Sequence, residues 1–104
     1  MAKSAKEWVE RGRGLGRKGK HAEAITCCEK AIELDSTSAD AWLCKCNELK
    51  AMEKFDEALT CYDNALKLDP KACQAWVSKG NVLFKLRRDS EAMDAIDKAK
   101  RLRK

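Results

Sequence analysis

The sequence predicts an all-α protein made of three helix-turn-helix units, that is, six antiparallel helices stacked in a row. The main observation is a repeat of 34 residues, which places Trp8, Trp42 and Trp76 at equivalent positions. Apolar residues in each unit recur at helical spacing, and no segment shows the alternation typical of a strand. We expect one domain over residues 1–104, divided into repeats 5–38, 39–72 and 73–104.

In the first unit, Ser4 is a suitable N-cap for a helix that runs through about residue 18. Gly12, Gly14 and Gly16 lie inside this helix, and each costs about 1 kcal/mol relative to alanine. We therefore expect the first helix to be the least stable. A wide apolar stripe predicts a second helix from about residue 21 to 34. The segment 35–38 is a break, and any of its three hydroxyl residues is able to cap the next helix.

The second and third units repeat this plan. Helices are predicted at about 39–52, 55–68, 70–86 and 90–102. Asp69 followed by Pro70 predicts the N-cap and first residue of the fifth helix, because proline is tolerated where its missing N–H would have no partner. Asp89 is the expected N-cap of the sixth helix.

Small residues recur where the two helices of a unit should approach each other. Gly12, Cys46 and Gly80 each follow a tryptophan by four positions, and each faces a partner helix that carries an alanine. Such small residues leave room for close packing of two helices. Since one pair cannot bury its apolar stripe alone, neighbouring pairs are expected to stack.

The clearest motif lies in the middle unit. It consists of Trp42, Cys46, Leu49, Ala58, Tyr62, Ala65 and Pro70. This pattern resembles the tetratricopeptide repeat (TPR), and the resemblance extends over residues 5 to 104. A basic residue three positions after each tryptophan is similar to prokaryotic members of that family. The resemblance implies a right-handed superhelix whose concave groove binds a peptide segment of a partner protein, as in a scaffold or adaptor.

The same resemblance assigns residues of the first helix in each unit to that groove. The expected peptide-binding residues are Val9, Arg13, Arg17, Leu43, Cys44, Asn47, Lys50, Gln74, Val77, Asn81, Phe84 and Lys85. The apolar members, with Val9, Leu43 and Val77 in one exposed row, suit hydrophobic side chains of a ligand. The asparagine amides offer a donor and an acceptor to a peptide backbone. The arginines and lysines favour acidic side chains or a C-terminal carboxylate.

One subtype of the family clamps the terminal Glu-Glu-Val-Asp carboxylates of Hsp70 and Hsp90 with lysine, asparagine and arginine side chains. The clamp positions are occupied here by Val9, Arg13, Cys44, Gln74 and Ser78. Only Arg13 among them carries a positive charge. We therefore expect no tight binding to Hsp70 or Hsp90 tails.

The six cysteines lie within helical sequence rather than at turns, which favours reduced thiols over a disulfide framework and a cytoplasmic location. Cys27 and Cys28, and likewise Cys44 and Cys46, project in different directions around a helix, so we expect no metal site. Cys28 and Cys46 are expected in the core, whereas Cys27 and Cys61 are expected to face outward. Cys44, on the groove face, is the one candidate for a reactive thiol.

Other functional classes find little support in the sequence. His21 occupies the position of Phe55 in the second unit, so we expect it to serve in packing. One histidine with scattered carboxylates provides no catalytic set, so we expect neither enzyme activity nor a cofactor. The net charge is +5, but no aromatic residues are interleaved with the basic ends, so nucleic-acid binding is not expected. No apolar run is long enough to span a membrane.

A second hypothesis concerns the end faces. Met93, Ile96 and Leu102 are expected to leave an apolar edge on the last helix, where Lys100 replaces the Leu66 of the second unit. The chain is then a self-sufficient module, a piece of a longer array, or a protomer that stacks on another copy.

Overall fold

The computed structural model describes residues 4–103, and this part of the chain contains six α-helices and no strand. The helices are α1 (Ala5–Arg17), α2 (His21–Leu34), α3 (Ala39–Ala51), α4 (Phe55–Leu68), α5 (Cys73–Lys85) and α6 (Asp89–Leu102). The molecule is elongated, measuring 46 × 26 × 19 Å. The predicted all-α architecture of three stacked helix pairs is confirmed.

Two helices begin with a capping serine. The Ser4 hydroxyl accepts a hydrogen bond from the Glu7 N–H, and the Glu7 carboxylate accepts one from the Ser4 N–H, which completes a capping box at α1. Ser38 caps α3 by accepting from the Ala41 N–H at 3.2 Å. The break between the first and second units therefore uses the last of its three hydroxyl residues as the cap.

The predicted start of the fifth helix is wrong. α5 begins at Cys73 rather than at Pro70. Asp69 follows the end of α4, and its carboxylate accepts a hydrogen bond from the Lys71 N–H at 3.2 Å. This local turn of the aspartate holds the proline in a loop between two units, because the side chain bonds to a backbone N–H two residues on.

The turn inside each pair contains one residue in the left-handed region at an equivalent position. These residues are Gly19, Glu53 and Arg87, with φ of 80°, 60° and 62°. Only the first unit supplies a glycine, for which this conformation carries no steric cost. In the third unit the turn places Arg88 at the N-cap, so Asp89 is the first residue of α6 and the prediction that it caps the helix is wrong.

The helices within a pair pack closely at the predicted glycines. A Cβ added to Gly80 would lie 2.8 Å from Ile96 Cδ1 and 3.2 Å from the Ala92 carbonyl oxygen. A Cβ on Gly12 would lie 3.2 Å from the Ala24 carbonyl oxygen. Both positions therefore require a residue without a side chain. The predicted close contact between small residues is confirmed there.

The core continues from one pair to the next. The fully buried Tyr62 belongs to the central cluster, against which Trp42 and Trp76 pack with part of each ring exposed. The two indole N–H groups donate to the carbonyl oxygens of Ser36 and Pro70, at 3.0 and 2.9 Å. Each tryptophan therefore ties its own helix to the loop that precedes it, and it packs at the junction of two units.

A disulfide bond joins Cys28 of α2 to Cys44 of α3, so the expectation of reduced thiols is wrong for this pair. The stacking of the first two units brings the two Cα atoms to 5.9 Å, within the usual range for a disulfide. The expectation rested on the position of the cysteines within helices, whereas this bond joins two helices that meet only when one unit stacks on the next. It also means that Cys44 is not a free thiol.

Cys27 and Cys61 are buried, which contradicts their predicted outward orientation. The Cys61 thiol donates to the Trp42 carbonyl oxygen at 3.4 Å. Burial, reinforced by contact with Cys61, raises the pKa of the Cys46 thiol. Cys27 and Cys61 are enclosed because they lie on the second helix of a pair, which is covered both by its partner and by the next unit.

Filling the closest helix contact should destabilise the fold. We expect Gly80→Val to lower the free energy of unfolding by about 1–3 kcal/mol, because the new side chain must displace Ile96 and the backbone at Ala92. Gly14→Ala is the matched control, since no atom lies within 4 Å of its added Cβ. That variant should gain up to about 1 kcal/mol from helix propensity. Urea unfolding measures both, and a Gly80→Val variant as stable as the wild type would contradict the packing described.

The disulfide should contribute measurably to stability. A disulfide that closes a loop of this length lowers the conformational entropy of the unfolded chain, which stabilises the fold by about 3 kcal/mol. Cys28→Ala should therefore lower the free energy of unfolding by a comparable amount. Dithiothreitol should reproduce the loss in the wild type and have no effect on the variant. The control is Cys73→Ala, which removes a free thiol. Stability of the wild type that is insensitive to the reductant would contradict the bond.

Candidate interaction groove

Three cavities lie in a row along α1, α3 and α5, with volumes of about 290, 360 and 580 Å³. Arg13 lines the first and the second, and Ala51 lines the second and the third, so the three form one continuous surface. We call this surface the groove. The predicted residues that line it are Val9, Arg13, Arg17, Cys44, Asn47, Lys50, Asn81, Phe84 and Lys85. The predicted residues Leu43, Gln74 and Val77 do not line these cavities.

The predicted apolar row is largely covered. Val9 and Cys44 are only 4% and 2% exposed, so the expectation that their side chains are displayed is wrong. Helix α3 packs against α1 at this point, and Cys44 Sγ lies 3.9 Å from the Val9 carbonyl oxygen. Leu43 and Val77 are half-buried. Val9 and Cys44 therefore belong to the core of the stack, whereas Leu43 and Val77 keep part of their side chains exposed.

The apolar surface that remains open lies in the third cavity. Phe84 is 44% exposed there, beside the half-buried Phe55 and the buried Val82. Lys50 and Lys85 line the same cavity. This largest part of the groove therefore combines an aromatic surface with two ammonium groups.

Asn47 is held by a tyrosine that the sequence did not connect with the groove. The Tyr62 hydroxyl donates to Asn47 Oδ1 at 2.5 Å, and burial raises the pKa of this phenol. The oxygen of the amide is thereby engaged, and its NH2 group is oriented as a donor. The equivalent residue behind Asn81 is Ile96, which has no polar group. The two asparagines are therefore supported differently.

Charge changes sign along the groove. The first cavity is lined by Glu10 and Asp40 as well as by basic residues. The second cavity is lined by Arg13 and Arg17 with one carboxylate, that of Glu48, and the third by Lys50 and Lys85 with one carboxylate, that of Glu53. An acidic group should therefore find its best position in the second and third cavities, where cations predominate.

A partly buried histidine–carboxylate hydrogen bond lies in the wall of the second cavity. His21 Nδ1 lies 2.6 Å from Glu48 Oε1, and the Glu48 side chain is 11% exposed. That carboxylate occupies the space beside Gly16 where a Cβ would be. The prediction of a packing role for His21 is therefore corrected to that of partner for a buried carboxylate.

The next interface has an apolar pair at the same positions. Phe55 is the equivalent of His21, and Val82 is the equivalent of Glu48. Phe55 packs against the cluster that contains Val82. The same geometry is thus built once from hydrocarbon and once from a histidine–carboxylate pair.

Two properties of the described residues bear on other functional classes. Over residues 4–103, no helix is long and apolar enough to cross a membrane. In the same range, no three His, Cys, Asp or Glu side chains are grouped so as to hold a metal ion. The absence of catalysis and of nucleic-acid binding stays a prediction.

Comparison with known families agrees with the helix pairs. A family model described as a tetratricopeptide repeat matches residues 47–104, and a second with the same description matches residues 5–38. The chain belongs to the tetratricopeptide repeat family. This confirms the resemblance that the sequence repeats show to that family. No curated protein has a sequence that matches this TPR chain.

Solved structures share the fold at low sequence identity. The second TPR of Spaghetti (RPAP3), bound to the HSP90 peptide SRMEEVD, has a TM-score of 0.92 and 24% identity, covering 96% of this chain and 93% of that one. The Yersinia enterocolitica type III secretion translocator chaperone SycD, in an alternative dimer, has a TM-score of 0.93 and 18% identity over 98% and 77%. MamA has a TM-score of 0.91 and 23% identity, and this chain spans 58% of its length.

The His21–Glu48 pair should be replaceable by the pair from the next interface. His21→Phe alone should lower the free energy of unfolding by about 1–3 kcal/mol, since it leaves a buried carboxylate without its partner. His21→Phe combined with Glu48→Val should recover this loss or exceed the wild type, because hydrocarbon of similar size replaces a desolvated ion pair. Urea unfolding of the double-mutant cycle measures the coupling. A double variant as unstable as His21→Phe would contradict the equivalence of the two interfaces.

Proposed function

We propose that this TPR domain is a non-catalytic protein-interaction module that binds a peptide segment of a partner protein in the groove. The observation that carries the proposal is the third cavity, where an exposed phenylalanine stands among two lysines and an asparagine. A cavity that combines apolar side chains with a few polar groups directed into it is typical of a binding site.

The chemistry of the third cavity indicates what the peptide should carry. Phe84 and Phe55 would receive an apolar or aromatic side chain. Lys50 and Lys85 would attract a neighbouring acidic side chain or the C-terminal carboxylate. Asn81 offers an amide to the peptide backbone. The expected ligand is therefore a segment in which an apolar residue adjoins at least one carboxylate.

Binding of Hsp70 or Hsp90 tails is not part of the proposal, although two similar structures carry an HSP90 peptide. Of the positions assigned to the carboxylate clamp, Val9, Cys44 and Ser78 are buried. Cys44 is also in a disulfide. Their side chains have no charge to offer a carboxylate, so a different set of residues would have to hold the peptide.

Selection from a random peptide library, followed by calorimetry on the enriched peptides, tests the proposal. We expect enriched sequences to pair an apolar residue with a carboxylate. Phe84→Asp should weaken their binding at least about 10-fold, since it removes the apolar contact and introduces a repelling charge. Asn81→Ala should weaken it less. Sodium chloride should also weaken it, because the lysine contacts are exposed.

The matched control is Leu34→Asp, which alters an exposed leucine that does not line the groove. It should leave peptide affinity unchanged. Enriched peptides that bind Phe84→Asp as well as the wild type would contradict the proposed site. A peptide ending in Glu-Glu-Val-Asp that binds with submicromolar affinity would contradict the exclusion of Hsp tails.

A further inference from the structure

Each of the two interfaces between units contains an ion pair, and the two pairs lie at equivalent positions. Lys45 Nζ lies 3.3 Å from Glu29 Oε2 at the first interface, and Lys79 Nζ lies 2.7 Å from Asp63 Oδ1 at the second. In each case the base follows a tryptophan by three positions, and the acid belongs to the second helix of the preceding unit. The repeated basic residue thus has a structural role, which is to join one unit to the next.

The same interfaces share an apolar contact. Ile25 of the first unit and Trp42 of the second pack against one cluster. The equivalent residues, Leu59 and Trp76, both pack against the cluster formed by Leu83, Ala92 and Ala95, and they line a common cavity. A branched aliphatic residue of one unit thus meets the tryptophan of the next, beside the ion pair.

Each end of the molecule carries one half of this pattern. On α1, Trp8 and Arg11 take the places of the later tryptophans and lysines, and the Arg11 guanidinium lies over the Trp8 ring at 5.9 Å. On α6, Met93 takes the place of Ile25 and Leu59, and Asp97 takes that of the acids. Met93 is 59% exposed. Among residues 4–103, neither Arg11 nor Asp97 has an ion-pair partner.

We propose that the two ends bind each other between copies, so that α6 of one chain packs on α1 of the next. Asp97 would pair with Arg11 of the neighbour, and Met93 would pack on its Trp8, as the equivalent residues do inside the chain. The occupant of each end face is therefore a second copy of this chain, selected by charge complementarity. Because the contact is heterologous and follows the internal repeat, it generates an open stack rather than a closed dimer.

The contact between copies should be weaker than the internal ones. Lys100 stands where Ile32 and Leu66 lie at the inner interfaces, so less apolar surface is available. Across the contact, Lys100 would face Glu7, which is opposite in charge and also bonds to Ser4. We therefore expect reversible association that depends on protein concentration and on salt.

Sedimentation equilibrium of the full chain, from about 10 μM to 1 mM, tests the proposal. The weight-average mass should rise continuously above 11.7 kDa with concentration and fall when salt is added. A mass that stays at one chain would overturn the proposal. A mass that saturates at two chains would also overturn it, since it indicates a closed dimer.

Charge reversal at the ends gives a sharper test. Asp97→Arg and Arg11→Asp should each lower the self-association constant at least about 10-fold, because like charges then face each other. An equimolar mixture of the two variants should associate again, with the chains in alternation, since every contact then joins an arginine to an aspartate. A mixture that associates no better than the separate variants would overturn the pairing of Asp97 with Arg11.

Glu33→Arg is the matched control for net charge. It makes the same change in charge as Asp97→Arg, and the equivalent residues Lys67 and Arg101 are already basic. Its association should match the wild type. Circular dichroism checks that each variant is folded. Met93→Asp, on a surface that is already exposed, should also weaken association, and association unchanged in this variant would overturn the apolar part of the contact.

Discussion

The whole structure depends on covering the apolar side of the second helix in each pair. Two helices enclose only part of their apolar stripes, so the next unit must supply the remaining contacts. Tyr62 shows the consequence, because it is fully buried although it belongs to a short helix of a small protein. Its burial requires contacts from the third unit, which supplies Ala75 and Val82 to the same cluster. The same requirement fixes the position of each unit relative to the one before it. This stacking places α1, α3 and α5 side by side, and their exposed faces form the groove.

The two interfaces satisfy this requirement with different chemistry. Cys28 and Cys44 form a covalent bond at the first interface, where Tyr62 and Ser78 are the equivalent residues at the second. A histidine–carboxylate pair at the first interface likewise replaces the phenylalanine and valine of the second. Helix α1 of the first unit also contains Gly12, Gly14 and Gly16, and glycine is a poor helix former. A cross-link and a partly buried histidine–carboxylate pair thus lie where local helix propensity is weakest.

The groove is a product of the same stacking. Side chains nearest the floor are covered by the neighbouring first helix, and side chains farther out remain open. This explains why Val9 is buried whereas Phe84 is exposed. In the second cavity the scaffold also fixes a polar group, since the Tyr62 hydroxyl donates to Asn47 Oδ1. A rigid stack with a few open side chains is well suited to recognising an extended segment at low entropic cost.

The sequence by itself determined the repeat, the helix pairs and the glycine contacts, because these depend on spacing along the chain and on residue size. It also determined the acidic and basic residues that recur in each unit. Only the tertiary structure decided which of the predicted groove residues are open, since burial of Val9 and Cys44 depends on a helix from the neighbouring unit. The disulfide and the His21–Glu48 pair were decided in the same way, because their members lie 16 and 27 positions apart and meet only when two units stack.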